Sequence, residues 1–339
     1  MDALSEVLGS VRLTGAVFLE LELREKWSYL TAPARKIADV LMPEADHVIP
    51  FHLVTEGSCY ARLLDGGPVA LDAGDVILFP AGDRHVLATA SEDALRLKPL
   101  EITGESLDKL LKRGNVTELK SGNSGDATHI VCGFLACDKR LAEPILLSLP
   151  RLLKVSMHDA GAAAWVQSSL RFSVAESAAS KPGSAIVLAR LSEVLFAEAI
   201  RRYMSELPPG DSGWLSGLRD RYVGRALALL HERPAHAWTV DELARKVGLS
   251  RSALGERFAA MIGAPPMQYL TRWRTSLAAT RLRESDEPIL RVATDVGYES
   301  EAAFNRAFKR EFGLPPSAWR KRASRGNGKP NERRITRAG

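Results

Sequence analysis

Between Thr239 and Arg320 one helical pattern is written twice. The first copy is T-V-D-E-L-A-R-K-V-G-L-S-R-S-A-L-G-E-R-F, Thr239 to Phe258, and the second is I-L-R-V-A-T-D-V-G-Y-E-S-E-A-A-F-N-R-A-F, Ile289 to Phe308. Each copy has an alanine, a glycine four residues on, a serine, and then a second helical run. The small Ala244 and Ala293 let two helices cross closely. Gly248 and Gly297 suit the left-handed backbone that ends a helix. Ser250 and Ser300 can accept from the free N–H groups that open the next one. Leu254 and Phe258, like Phe304 and Phe308, recur at i,i+4 and pin the second helix inward. Its other face is left for a partner, and a helix held this way suits a DNA major groove.

The second copy and its continuation, A-T-D-V-G-Y-E-S-E-A-A-F-N-R-A-F-K-R-E-F-G-L-P-P-S-A-W-R, resemble the DNA-binding domain of the AraC/XylS family of bacterial transcriptional regulators, with Trp319 where Tyr is usual. The resemblance implies base contacts from Ser252, Gly255 and Glu256 on the first recognition helix. By chemistry Glu256 can accept from a cytosine amine, and Arg251 is the one side chain there that could read guanine. Gly255 costs about 1 kcal/mol of helix propensity relative to alanine, which a close backbone approach to DNA would explain. On the second helix the outward set is Glu301, Ala302, Asn305, Arg306 and Lys309. Asn305 suits adenine, Arg306 suits guanine, and Ala302 suits a thymine methyl. Arg272 and Arg274, between the copies, are candidate phosphate contacts. Thr239 and Glu242 have capping-box spacing.

Charge is partitioned along the chain. Residues 213–339 carry 24 Lys/Arg against 13 Asp/Glu, whereas residues 1–212 carry 22 against 28. A basic C-terminal part joined to an acidic N-terminal one is the balance expected of a nucleic-acid module attached to something that avoids nucleic acid. The start, M-D-A-L-S-E-V-L, lacks the basic opening of a signal peptide, and no apolar run spans a membrane, so the cytoplasm is expected.

The N-terminal half reads differently. L-S-E-V-L-G-S-V-R-L suggests a short helix, and T-G-A-V-F-L-E-L-E-L alternates as a strand does. From Val48, short apolar runs are broken by E-G, D-G-G and A-G-D, the punctuation of a β-sandwich or barrel. His129 to Leu135 reads as its last strand, and L-A-E-P-I-L-L-S-L-P-R-L-L-K-V as the entry to a helical region. The stretch G-D-V-I-L-F-P-A-G-D-R-H, Gly74 to His85, resembles the second cupin motif, whose histidine is a ligand in metal-binding cupins. The H-x-H and Glu of the first motif are missing. His85 thus has three readings: a structural histidine, an effector contact together with His52, or a metal ligand with His52. None of Cys59, Cys132 and Cys137 forms C-x-x-C. Cys59 and Cys132 read as core thiols, Cys137 lies near Lys139 and Arg140, and a redox-sensing role for the three is the alternative.

The expected fold is multi-domain α+β. It comprises a cupin-like β-barrel sensor over 1–137, a helical dimerisation and connector region over 138–204, a linker at 205–213, an all-α tandem helix-turn-helix domain over 214–322, and a disordered basic tail over 323–339. Leu188, Leu191 and Leu195 form an apolar stripe read either as packing on its own domain or as a dimer face. The expected function is sequence-specific binding of double-stranded promoter DNA by a homodimeric regulator. It would be an activator working with RNA polymerase and governed by an unknown effector or redox signal. No catalysis, metal, cofactor or membrane is expected. The competing reading is a metal-dependent cupin enzyme fused to a DNA-binding module.

Overall fold

The computed structural model describes residues 3–326 except 12, 42–44, 46, 92–95, 103–116, 158–164, 166–167, 171, 173–181 and 209. The chain divides into two compact units, Val7–Ser216 and Gly217–Gly339, the latter together with Met1–Glu6. The basic tail from 327 lies outside the described residues, whereas the helix before it runs through Gly326.

The first unit is built from the part of α1 (Ala3–Val11) that starts at Val7, β1 (Thr14–Leu23), β2 (Ser28–Leu30), α2 (Ala34–Leu41), β3 (His47–Glu56), β4 (Ser58–Leu63), β5 (Val69–Asp72), β6 (Asp75–Leu78), β7 (His85–Thr89), β8 (Leu100–Glu101), β9 (Thr117–Ser121), β10 (Thr128–Cys137), α3 (Lys139–Leu146), β11 (Leu153–Ser156) and α4 (Ser184–Glu206). The strands form two sheets, β11-β6-β3-β10-β1-β9 and β5-β4-β7-β2-β8, and do not close into a barrel. The short turns foreseen from the glycines are present, with Gly57, Gly74 and Gly82 all at positive φ. Inward residues of both sheets, among them Leu19, Leu21, Val54, Leu71, Ile77, Phe79 and Leu87, make one core.

Two expectations for this unit are corrected. β10 is not its last strand, because Leu153 and Val155 are buried on either side of exposed Lys154, a period of two, and this segment pairs with β6 as β11. The stripe Leu188, Leu191 and Leu195 is not a free dimer face. All three are buried, and their helix α4 lies on β1, β10 and β11. Gly15 makes the approach possible, since a Cβ there would stand 2.5 Å from the Ala189 carbonyl oxygen and from Ser192 Cβ. The segment expected as a linker is likewise structured at both ends. α4 continues to Glu206, Leu207 is buried, and the Trp214 N–H donates to Ser148 Oγ at 2.9 Å.

The second unit follows α5 (Trp214–Arg219) with α6 (Arg221–Glu232), α7 (Val240–Val247), α8 (Arg251–Ile262), α9 (Pro266–Glu284), α10 (Ile289–Asp295), α11 (Glu301–Phe312) and α12 (Pro316–Gly326). Helices α6, α7 and α8 pack as one three-helix group. The long α9 contributes Ala278, Ala279 and Leu282 to a second group with Val292, Ala293, Val296, Phe304, Phe308 and Phe312. Trp319 closes that core: its rings meet Phe308 and Phe312 edge-on and its Nε1–H donates to the Ala279 carbonyl at 3.2 Å. An indole therefore fills the place where the family has tyrosine and finds its own acceptor.

Candidate nucleic-acid interface and effector pocket

Each helix-turn-helix is assembled by the local chemistry that its residues foreshadow. Gly248 and Gly297 sit at φ 84° and 92°, and Ser250 and Ser300 accept from the backbone N–H of Ala253 and Ala303. Thr239 accepts from Glu242 N as a cap, but the reciprocal half of the capping box is replaced, since the Glu242 carboxylate meets His236 Nε2 at 3.0 Å.

On α11, Phe304, Ala307 and Phe308 face the core, while Glu301, Ala302, Arg306 and Lys309 are exposed and Asn305 is half-buried. On α8, Leu254 and Phe258 are fully buried; Arg251, Ser252 and Glu256 are exposed and Gly255 is half-buried. A Cβ added to Gly255 would meet nothing within 4 Å, so nothing inside the fold demands glycine there. Arg251 reaches Asp241 at 3.2 Å between two well-exposed side chains, a pairing worth little in water. Arg257 is exposed and fixed by Asp220, the residue that caps α6.

The two linking arginines differ. Arg272 is half-exposed, with Glu311 3.7 Å away. Arg274 is committed inside the domain: its Nε donates to the Pro234 carbonyl at 2.6 Å and its Nη2 to the His236 carbonyl at 2.7 Å. Its guanidinium is thus taken up by the loop between α6 and α7, which corrects the expectation of a phosphate contact. Its partners are backbone carbonyls, which the sequence does not mark.

The second site lies between the sheets of the first unit. His52 stands on β3 directly across from Cys132 on β10, and His85 opens β7 in the facing sheet. His52 Nε2 is 2.7 Å from His85 Nε2, and His52 Nδ1 is 3.0 Å from Cys132 Sγ. His85 Nδ1 is 2.9 Å from the Asp83 carbonyl oxygen, and Phe79 stacks on the His85 ring with centroids 3.5 Å apart.

This network runs in one direction. The Asp83 carbonyl can only accept, so His85 carries its proton on Nδ1 and offers a lone pair at Nε2. His52 therefore donates from Nε2 and has its lone pair at Nδ1, where the Cys132 S–H donates. Burial supports the neutral forms. It holds His52 well below the usual histidine value, lowers His85 to about 4, and raises the Cys132 thiol.

A cavity is lined by His52, His85 and Cys132 together with Leu19, Leu21, Tyr29, Leu87, Ile102 and Phe134. The chemistry does not fit a metal centre. The two histidines aim their Nε2 atoms at each other, the thiol lies on the opposite nitrogen of His52, and among the described residues no group of three His, Cys, Asp or Glu can hold a metal ion. Cys59 and Cys137 are buried and lie outside the cavity lining, and burial pushes Cys59 up to about 12. Thr31 was not singled out in the sequence, yet its hydroxyl donates to the His85 carbonyl and accepts from the His85 N–H, both at 3.1 Å.

Comparison with known proteins agrees with both halves. A cupin family model matches residues 2–205 and a helix-turn-helix domain model matches residues 243–322. A putative AraC-like transcription regulator of Streptomyces antibioticus is 32% identical over 321 residues, 95% of this chain and 99% of its own. The chain belongs to the AraC family. Its relatives include the HTH-type transcriptional regulator AlkR of Acinetobacter baylyi, 27% identical over 95% of this chain and all of that one. Another is the RCS-specific HTH-type transcriptional activator RclR of Escherichia coli, 26% identical over 95% of this chain and 98% of its own. This AraC-type chain is a DNA-binding transcriptional regulator with a cupin domain in front of its helix-turn-helix domain. Among its described residues no helix is long and apolar enough to cross a membrane.

Proposed function

We propose that this regulator reads promoter DNA through the exposed faces of α8 and α11, and that occupancy of the cupin-domain cavity sets its output. The observation that carries the DNA half is the division of α11 into a fully buried Phe304–Phe308 edge and an outward face of Glu301, Ala302, Arg306 and Lys309 with Asn305 beside it. Donors and acceptors on one face of a helix, anchored by aromatics on the other, suit base edges in a major groove. Ser252, Gly255 and Glu256 are assigned the same task on α8, Ser250 and Ser300 supply the helix starts, and Arg272 supplies a phosphate contact.

The sensing half rests on the apolar cavity, because a ligand shifts a regulator only by binding one state better than another. An activator is the form of regulation we assign, following the name of the relative RclR, and with it we assign a cytoplasmic location and a contact with RNA polymerase. We assign the homodimer contact to a surface other than the buried Leu188, Leu191 and Leu195 stripe. Hydroxyl-radical footprinting upstream of genes whose expression changes on deletion tests the DNA half. Protection of two elements about 10 bp apart on one face is the expected pattern, and protection confined to a single groove defeats it.

A further inference from the structure

We propose that Cys132 is a nucleophile that captures an uncharged, apolar carbon electrophile, of the α,β-unsaturated carbonyl class, inside the cupin-domain cavity, with His52 as its base. The inference rests on the reading of that cavity as the effector site and names the chemistry of what enters it.

Three observations on the same residues lead there. Cys132 Sγ stands 3.0 Å from His52 Nδ1, and with the Asp83 carbonyl accepting from His85 Nδ1 the chain of bonds makes that nitrogen the acceptor of the thiol proton. Nucleophile, base and orienting group therefore stand in the order that activated thiols use. Cys132 also lines the cavity, whereas Cys59 and Cys137, equally buried, do not. Finally, the polar atoms of His52, His85 and Cys132 satisfy one another, the Thr31 hydroxyl is held by the His85 backbone, and apart from Tyr29 the remaining side chains of the wall are apolar, Leu19, Leu21, Leu87, Ile102 and Phe134 among them. An ion would find no counter-charge there, and an apolar chain or ring would bury well. Burial keeps the resting thiol protonated, so capture depends on the neighbouring base rather than on a standing thiolate.

The step balances without any oxidant. The Cys132 proton passes to His52 Nδ1 as the bond from Sγ to the electrophile's β-carbon forms, and the C=C electron pair moves toward the carbonyl as an enolate. His52, briefly cationic, keeps its Nε2–H on His85, whose own Nδ1–H remains on the Asp83 carbonyl. His52 then returns the proton to the α-carbon, leaving a thioether and a neutral imidazole. The adduct fills the cavity between two sheets that His52 and His85 join, which gives the domain a second state to hold.

The test treats the full-length protein with N-phenylmaleimide, an uncharged apolar acceptor of this class, and follows each cysteine by peptide mass. Cys132 should react at least tenfold faster than Cys59 or Cys137, and preloading with the uncharged fluorophore N-phenyl-1-naphthylamine should slow it. His52→Gln should slow Cys132 by at least tenfold; its near-UV dichroism is checked first. His85→Gln, which leaves the bond between Cys132 and His52 in place, should slow it less. Labelling of Cys132 no faster than the other two, or an unchanged rate in folded His52→Gln, overturns the capture. So does a Cys132 that hypochlorous acid oxidises while the maleimide leaves it untouched. If the fluorophore binds in any of these outcomes, the cavity survives as an effector site and only the capture is lost. If it fails to bind, both readings fall.

Discussion

Arg274 and Tyr298 belong to different parts of the DNA-binding unit, and the guanidinium of one lies 5.9 Å over the ring of the other. The same guanidinium holds the Pro234 and His236 carbonyls of the loop before α7. Gly297, next to Tyr298, comes so near that loop that a Cβ would stand 2.7 Å from Ala235 Cα. One side chain on α9 thereby ties the first helix-turn-helix to the turn of the second. Arg274→Ala should destabilise this unit by about 1.5–3 kcal/mol, the range for a hydrogen bond to a charged group. It should weaken binding to two-element sites more than to isolated elements, with little change in salt dependence. A salt slope lowered by about one unit and unchanged stability would restore the phosphate role.

Arg306 and Arg272 should separate base reading from anchoring. Arg306→Ala is expected to cost about 1–3 kcal/mol and relax preference at one base position. Arg272→Ala should weaken every sequence alike and flatten the salt dependence. Binding titrations against a library of single-base variants distinguish them, and identical specificity profiles would reject the assignment.

Gly255 offers a substitution whose effects should run in opposite directions. Alanine there meets open space within the fold and should add about 1 kcal/mol of helix stability. If the backbone approaches DNA at this point, the same methyl lowers affinity. Thermal unfolding and a gel-shift titration of one protein check both, and an unchanged affinity removes Gly255 from the interface.

Leu195, on α4, is fully buried. Leu195→Ala should cost the cupin unit about 2–5 kcal/mol as a cavity-forming change. Sedimentation and urea unfolding together decide its role, since a fully stable variant that had lost self-association would return the stripe to a dimer interface.

His85 makes the stability of the cupin unit depend on pH. Its burial lowers the folded pKa from 6.5 to about 4. Between these values the unfolded chain binds the proton and the folded one does not, so stability falls as pH drops from about 6.5 toward 4. At pH 5 the loss from this group is on the order of 1–2 kcal/mol. His85→Gln should flatten that slope in urea melts at pH 7 and pH 5, and an unaltered slope would place the acid sensitivity elsewhere.

What the sequence determined by itself is local. Caps, left-handed glycines and i,i+4 aromatics act over one or two turns, so Gly248, Ser250, Gly297, Ser300, Phe304 and Phe308 could be assigned before any fold was seen. The same holds for the turn from Gly74 to His85 and for the alternation of β1. Only the tertiary structure decided matters that depend on which segments meet. The spacing of Leu188, Leu191 and Leu195 is equally good for a dimer and for a sheet; Gly15, more than 170 residues away, opens the gap that lets α4 settle on β1. Arg274 carries the same charge whether it faces phosphate or a carbonyl. His52, His85 and Cys132 lie in separate segments on two sheets, and their alignment into one directed chain of hydrogen bonds follows from strand register and sheet packing, which no local pattern encodes.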